Sequence, residues 1–244
     1  MPDNTIYFED FTIRANEVDA SGKLTLPAIC DFFQEVAGNN ALQLNFDITD
    51  LKDQNLTWVL HRMDIQINSY PDWRDTIKLK TWPASGDALR AYRNYQILDS
   101  GGNLYGSCLS YWMMMNLDTR RPVRMTKEIL ETKLADLENV LEIKSSRFKP
   151  FSSFEKEKRI TIRRADLDMN NHANNVRYIE WMLECLSHEE TRCITNFDII
   201  FMNEGLEGDI VNSSFTRIED GKLMFQLINQ DNKVLALAEA MLNF

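Results

Sequence analysis

Two stretches of this 244-residue chain can be laid over two others without a gap. VDASGKLTLPAICDFFQE (18–35) lies over LDMNNHANNVRYIEWMLE (167–184), with Asp19 on Asp168, Phe32 on Trp181 and Glu35 on Glu184. MDIQINSYPDWRDTIKL (63–79) lies over FDIIFMNEGLEGDIVNS (197–213), with Asp64 on Asp198 and Asp75 on Asp209. Identities are few. What repeats is an order: an acidic loop, a helix, a strand that ends at a turn, and a second strand. A chain built this way must fold as two similar units, each burying its own apolar faces.

The apolar periods agree with that reading. Ile29, Phe32, Phe33 and Val36 recur at helical spacing, as do Val176, Ile179, Leu183 and Leu186 in the second copy. Met63, Ile65 and Ile67 alternate with Asp64, Gln66 and Asn68, and Leu223, Phe225 and Leu227 with neighbours of mixed polarity, as strands do. LYGSCLSYWMMMN (104–116) and VLALAEAMLN (234–243) read as buried strands near the end of each copy. The fold class is therefore α+β, with a long helix and four or five mostly antiparallel strands in each unit. The segment 125–159 begins with helical spacing at Ile129, Leu134 and Leu137 and ends rich in Ser, Pro and charge. It reads as a connection. The chain divides into residues 1–126, a linker at 127–157, and residues 158–244.

One segment of the second copy is unusually polar. DLDMNNHANN (166–175) holds two aspartates, four asparagines and one of the chain's three histidines, just before the amphipathic helix. A calcium loop would want Gly where Asn171 stands and a bidentate Glu where Arg177 stands. Zinc would want more His or Cys nearby. Metal binding is therefore not expected. Helix capping by Asn174 or Asn175 accounts for one or two of these residues. It leaves Asp168, Asn170 and His172, which recur at spacing two and so face one side of an extended or irregular segment. Three polar groups converging before a helix N-terminus make a candidate site, since the free N–H groups there can bind an oxyanion.

Composition removes other classes. The net charge of −10 disfavours nucleic acid as a partner. No run approaches the ~18 apolar residues of a membrane span. The opening MPDNTIYFEDFTIR lacks both the pattern of a signal peptide and the arginine-rich character of a transit peptide, so a cytoplasmic location is expected. Cys30, Cys108, Cys185 and Cys193 form no Cys-x-x-Cys pair and read as free thiols. Local basic character survives at Arg120, Arg121 and Arg124 and at Arg163 and Arg164.

DLDMNNHANNVRYIEW resembles the signature of the acyl-acyl-carrier-protein thioesterases, D-L-D-x-N-x-H-x-N-N-x-x-Y, enzymes that end fatty-acid elongation in plastids and some bacteria. LTWVLHRMDIQINSYPDWRDTIKLKTW and SYWMMMNLDTRRPVRM resemble first-half landmarks of the same family, and the chain reads as a bacterial member. The resemblance implies a tandem double hotdog, each repeat a long helix wrapped by an antiparallel sheet. It also implies a catalytic second half. The family's Asp, Asn and His fall on Asp168, Asn170 and His172. A family segment R-R-E-C falls on FMNEG, which puts its Glu on Glu204 and its Cys on Gly205. A thiolate nucleophile is therefore not expected, and water remains.

The implied roles are these. Glu204, withdrawn from bulk water, serves as general base. Asn170 or His172 holds the water and the thioester, and Asp168 orients His172 or the helix start. Asn174 and Asn175 contact substrate beside them. The first half carries Ser21, Lys23 and Tyr70 at the positions of Asn170, His172 and Glu204, so it has lost the set. Its implied use is the acyl pocket, with Trp58, Val59 and Met63 as lining. Arg120, Arg121, Arg124, Arg163 and Arg164 would dock an acidic acyl carrier protein. No cofactor is implied. An acyl-CoA thioesterase on the same fold is the main alternative, and a non-catalytic acyl-binding hotdog protein the lesser one.

Overall fold

The computed structural model describes residues 5–84, 86–219 and 221–243. The chain forms two compact units that meet between Ile143 and Lys144, inside the segment read as a linker.

The first unit comprises β1 (Tyr7–Thr12), α1 (Leu26–Gln43), α2 (Ile48–Lys52), β2 (Leu56–Ile67), β3 (Thr76–Ala84), β4 (Ala91–Leu98), β5 (Leu104–Asn116), β6 (Pro122–Val123) and α3 (Lys127–Leu130). Its strands lie in the order β1-β3-β4-β5-β2, all antiparallel, with β6 against β5. The second unit comprises β7 (Lys156–Thr161), α4 (Asn175–Leu183), α5 (His188–Arg192), β8 (Ile194–Phe201), β9 (Ile210–Glu219), β10 (Lys222–Asn229) and β11 (Val234–Leu242). Its order is β7-β9-β10-β11-β8, again antiparallel. The two orders are the same order, so the repeat is topological. Each unit is a helix laid on an antiparallel sheet, the hotdog arrangement.

The helices bury the expected faces. Ile29, Phe33 and Val36 of α1 are fully buried, and Phe33 lies 4.7 Å from the Tyr95 ring of β4. Val176, Ile179 and Met182 of α4 are equally buried. Each such side chain contributes roughly 1.5–3 kcal/mol. The helices differ in length, with 18 residues in α1 and 9 in α4. Leu186 is buried, but it lies in the turn after α4, because Ser187 and Glu190 form a capping box that starts α5.

One expectation is corrected. The helical spacing at Ile129, Leu134 and Leu137 yields only the single turn of α3, and Leu130 and Leu137 are exposed. No apolar surface holds a longer helix there. Instead Asn94 ties the chain down, its Nδ2 donating to Asn139 Oδ1 (3.0 Å) and its Oδ1 accepting from Val140 N (2.9 Å). Beyond the boundary, Lys144 pairs with Asp198 (3.0 Å) and Phe151 exchanges two bonds with Gln226. Asp64, which alternates with Met63 and Ile65 in the sequence, is nevertheless buried in β2, as its repeat partner Asp198 is in β8. No helix among the described residues is long and apolar enough to cross a membrane.

Candidate active site

The polar segment before α4 is a tight turn rather than an extended run. Asp168 N donates to His172 O (2.7 Å) and Asn171 N to Asp168 O (3.1 Å). Asn171 takes a left-handed φ of 60°, which Asn tolerates better than most residues. Asp168 Oδ1 then accepts the N–H groups of Asn170 (2.8 Å) and His172 (3.2 Å). This carboxylate organises the backbone of the turn. The expected convergence through spacing two is therefore replaced by convergence through a closed loop.

Asn174 caps α4, its side-chain oxygen accepting from Val176 N (2.9 Å) while its carbonyl accepts from Arg177 N (2.9 Å). Two early amides of the helix are thus engaged. The Asn174 N–H itself donates to Asp166 O (2.9 Å), which leaves that of Asn175, the first residue of α4, as the candidate oxyanion donor.

A second strand end meets this loop. After β8, the amides of Met202 and Asn203 both donate to Leu235 O (2.9 and 3.1 Å), and Asn203 Nδ2 donates to Val234 O (2.7 Å). Ala173 N donates to Gly205 O (2.9 Å). That bond joins the residue after His172 to the residue after Glu204. The side chains consequently meet, with His172 Nε2 3.4 Å from Glu204 Oε2. The imidazole is 23% exposed and the carboxylate 42%. Glu204 is expected to be withdrawn from water, and it is not. It stands just past the end of β8, beside the loop, and is exposed. The Asn170 side chain is likewise exposed. An imidazole and a carboxylate so placed can hold and deprotonate a water molecule.

No thiol stands at this point. A Cβ added to Gly205 would lie 2.5 Å from Ile162 Cδ1 and 3.3 Å from Tyr178 Oη. Cys185 is buried and donates its thiol proton to Ser213 O (3.2 Å), and burial pushes its pKa up. Such a thiol is a poor nucleophile.

Sequence reasoning missed one support. Asp166 is buried, and its carboxylate takes the backbone N–H and guanidinium of Arg163 (2.8 and 2.7 Å). The Arg163 guanidinium holds the Asp166 carboxyl below the usual range. The signal existed in the repeat, because Arg14 and Glu17 form the same pair in the first unit. Arg163 is thereby tied to loop architecture. Arg120, Arg121, Arg124 and Arg164 are exposed. In the first unit Met63 is core, and Val59 is half-buried. Trp58 donates its indole N–H to Phe46 O (2.7 Å) and packs on Leu51, Met114 and Met125.

Residues 4–133 match the model of the acyl-ACP thioesterase N-terminal domain, and residues 152–241 that of the C-terminal domain. The chain is 33% identical over 240 residues to the oleoyl-acyl carrier protein thioesterase 2, chloroplastic, of Arabidopsis thaliana, covering 88% of this chain and 64% of that protein. It is 29% identical to the oleoyl-acyl carrier protein thioesterase of Coriandrum sativum, covering 98% and 70%. The chain thus spans about two thirds of these plant relatives. Among solved structures, an acyl-ACP thioesterase from Bacteroides thetaiotaomicron superposes with a TM-score of 0.90 at 26% identity, covering 98% of each chain. The 12:0-ACP thioesterase of Umbellularia californica shares the fold with a TM-score of 0.86 at 22% identity, covering 98% and 97%.

Proposed function

The chain belongs to the acyl-ACP thioesterase family, and from that premise we propose that it hydrolyses the thioester joining a fatty acyl chain to the phosphopantetheine arm of an acyl carrier protein. One observation supports this most: His172 and Glu204 stand 3.4 Å apart in the unit whose repeat partner has Lys23 and Tyr70 instead. The pair is the part of the site that the fold alone does not require.

In the proposed reaction Glu204 takes a proton from water held between it and His172. The oxygen adds to the thioester carbon, and the Asn175 amide at the start of α4 stabilises the oxyanion. The C–S bond then breaks. Protonated Glu204 returns its proton to the leaving thiolate, which releases free acid and carrier thiol. A general base contributes roughly 10²–10⁴-fold, and one oxyanion donor about 10²–10³-fold. Asp168 supports the pair indirectly by fixing the main chain of His172. The acidic carrier would meet the exposed arginines at 120, 121, 124 and 164. Four free cysteines fit a reducing cytoplasm.

The test is kinetic. Glu204→Gln should reduce kcat for a carrier-bound acyl substrate by at least ~10²-fold. Full hydrolysis by purified Glu204→Gln would overturn the assignment.

A further inference from the structure

The main chain at Glu204 is gripped by a hydroxyl from α4. Tyr178 Oη accepts from Gly205 N (2.7 Å) and donates to Asn203 O (3.2 Å), so a single oxygen bonds the residues on both sides of Glu204. The ring is 2% exposed and is wedged between Trp181 (5.4 Å) and Phe201 (5.8 Å). Burial opposes ionisation of this phenol, and the nearby Glu204 charge adds to that, so it remains a protonated hydroxyl.

The repeat supplies an internal control. With Asp19 laid on Asp168, Tyr178 falls on Ile29, and with Asp64 laid on Asp198, Gly205 falls on Pro71. Isoleucine has no hydroxyl and proline no N–H, so both halves of the clamp are missing there. The counterpart turn nevertheless closes identically. Leu24 N donates to Pro71 O as Ala173 N does to Gly205 O, both at 2.9 Å. Asp75 N donates to Asp72 O (3.1 Å) as Asp209 N does to Leu206 O (3.0 Å). The turn therefore forms without the clamp. The clamp appears only where the residue it brackets is Glu204 rather than Tyr70.

We propose that Tyr178 is a positioning residue, whose hydroxyl fixes the backbone on both sides of Glu204 so that the carboxylate stays aimed at the His172 ring. The hydroxyl touches neither substrate nor reacting atoms. The inference rests on the reading of Glu204 as general base.

A double-mutant cycle tests it, using purified full chain and a carrier-bound acyl substrate at a temperature where every variant remains folded by circular dichroism. Tyr178→Phe removes one oxygen and should lower kcat by at least ~10-fold with KM changed less than ~2-fold. In a Glu204→Gln background the same substitution should change kcat by less than ~2-fold. Full kcat in Tyr178→Phe beside a slow Glu204→Gln parent overturns the inference and leaves the base intact. Equal losses in both backgrounds also overturn it, since the hydroxyl would then act independently of Glu204. A fully active Glu204→Gln overturns the base assignment itself, and the inference with it, and is recognised before Tyr178 is touched.

Discussion

Asp19 and Asp168 hold the same turn. Asp19 Oδ1 accepts the N–H groups of Ser21 (2.8 Å) and Lys23 (3.2 Å), as Asp168 Oδ1 accepts those of Asn170 (2.8 Å) and His172 (3.2 Å). Each aspartate N–H also donates to the carbonyl four residues on, Lys23 O at 2.8 Å and His172 O at 2.7 Å. The left-handed position within the turn is Gly22 in one copy and Asn171 in the other. An aspartate that does the same work in a unit without the His–Glu pair is a loop-forming residue first. In the proposed hydrolysis it acts through the loop it holds.

That equivalence separates stability from activity. Asp19→Ala and Asp168→Ala should each lower unfolding free energy by about 1–2 kcal/mol, from lost side-chain to backbone bonds. Only Asp168→Ala should also reduce hydrolysis, by about 10–100-fold, because it releases His172 from its turn. Urea denaturation beside steady-state kinetics on both variants checks this, and equal activity losses would contradict it.

Thiol chemistry should be irrelevant to turnover. Cys30, Cys108 and Cys185 are buried, and burial pushes the pKa of Cys30 and Cys185 up. Iodoacetamide at neutral pH should therefore label no more than Cys193 in the folded chain and leave activity intact. Mass spectrometry of the labelled, assayed protein decides. Gly205→Cys should not gain activity and should lose about 1–3 kcal/mol, since its Cβ would press on Ile162.

Acid should weaken the second unit through Glu190. Burial raises the pKa of this carboxyl, but the Ser187 N–H and the Arg217 guanidinium outweigh it and bring the value down to about 2, from 4.5. A folded value below the unfolded one stabilises the fold fully above pH 4.5 and less and less as pH falls toward 2. Asp166, lowered by Arg163, acts in the same direction. Glu190→Gln keeps the capping box, which Gln also serves, but loses the ion pair with Arg217 and should cost about 1 kcal/mol at neutral pH. Its melting temperature should also fall less steeply than the parent's between pH 5 and 2, and parallel curves would refute this.

Much of this was legible in the residues. The gapless overlays anticipated two similar units, and the family resemblance brought His172 and Glu204 into one argument although β8 separates them. What stayed hidden is hydrogen bonding across distance. Periodicity reports which side chains are buried, so it marked Leu186 correctly as apolar but could not say that α4 stops at Leu183. It left Tyr178 unremarked, and nothing in the apolar pattern reveals that its hydroxyl reaches a backbone N–H 27 residues on. Burial of Asp64 was invisible for a related reason, because strand alternation assumes one wet face. The Arg163–Asp166 pair could have been found, since Arg-x-x-acid recurs at Arg14 and Glu17.

The carrier-docking surface is best judged by comparing two substrates with one acyl chain. Arg120, Arg121 and Arg124 are exposed around the turn between β5 and β6. Arg163 is a poor probe, because reversing it would unpair buried Asp166 and damage the loop. Replacing Arg120, Arg121 and Arg124 together by Glu should raise KM for the carrier-bound substrate by about 10-fold or more at low ionic strength, since rim charges act mainly on encounter. The penalty should shrink near 1 M salt, where screening falls to about 3 Å. With the CoA thioester, which brings no acidic protein surface, KM should move by less than ~2-fold. Equal shifts for both substrates would remove the arginines from docking and favour a chain that acts on acyl-CoA as readily as on acyl carrier protein.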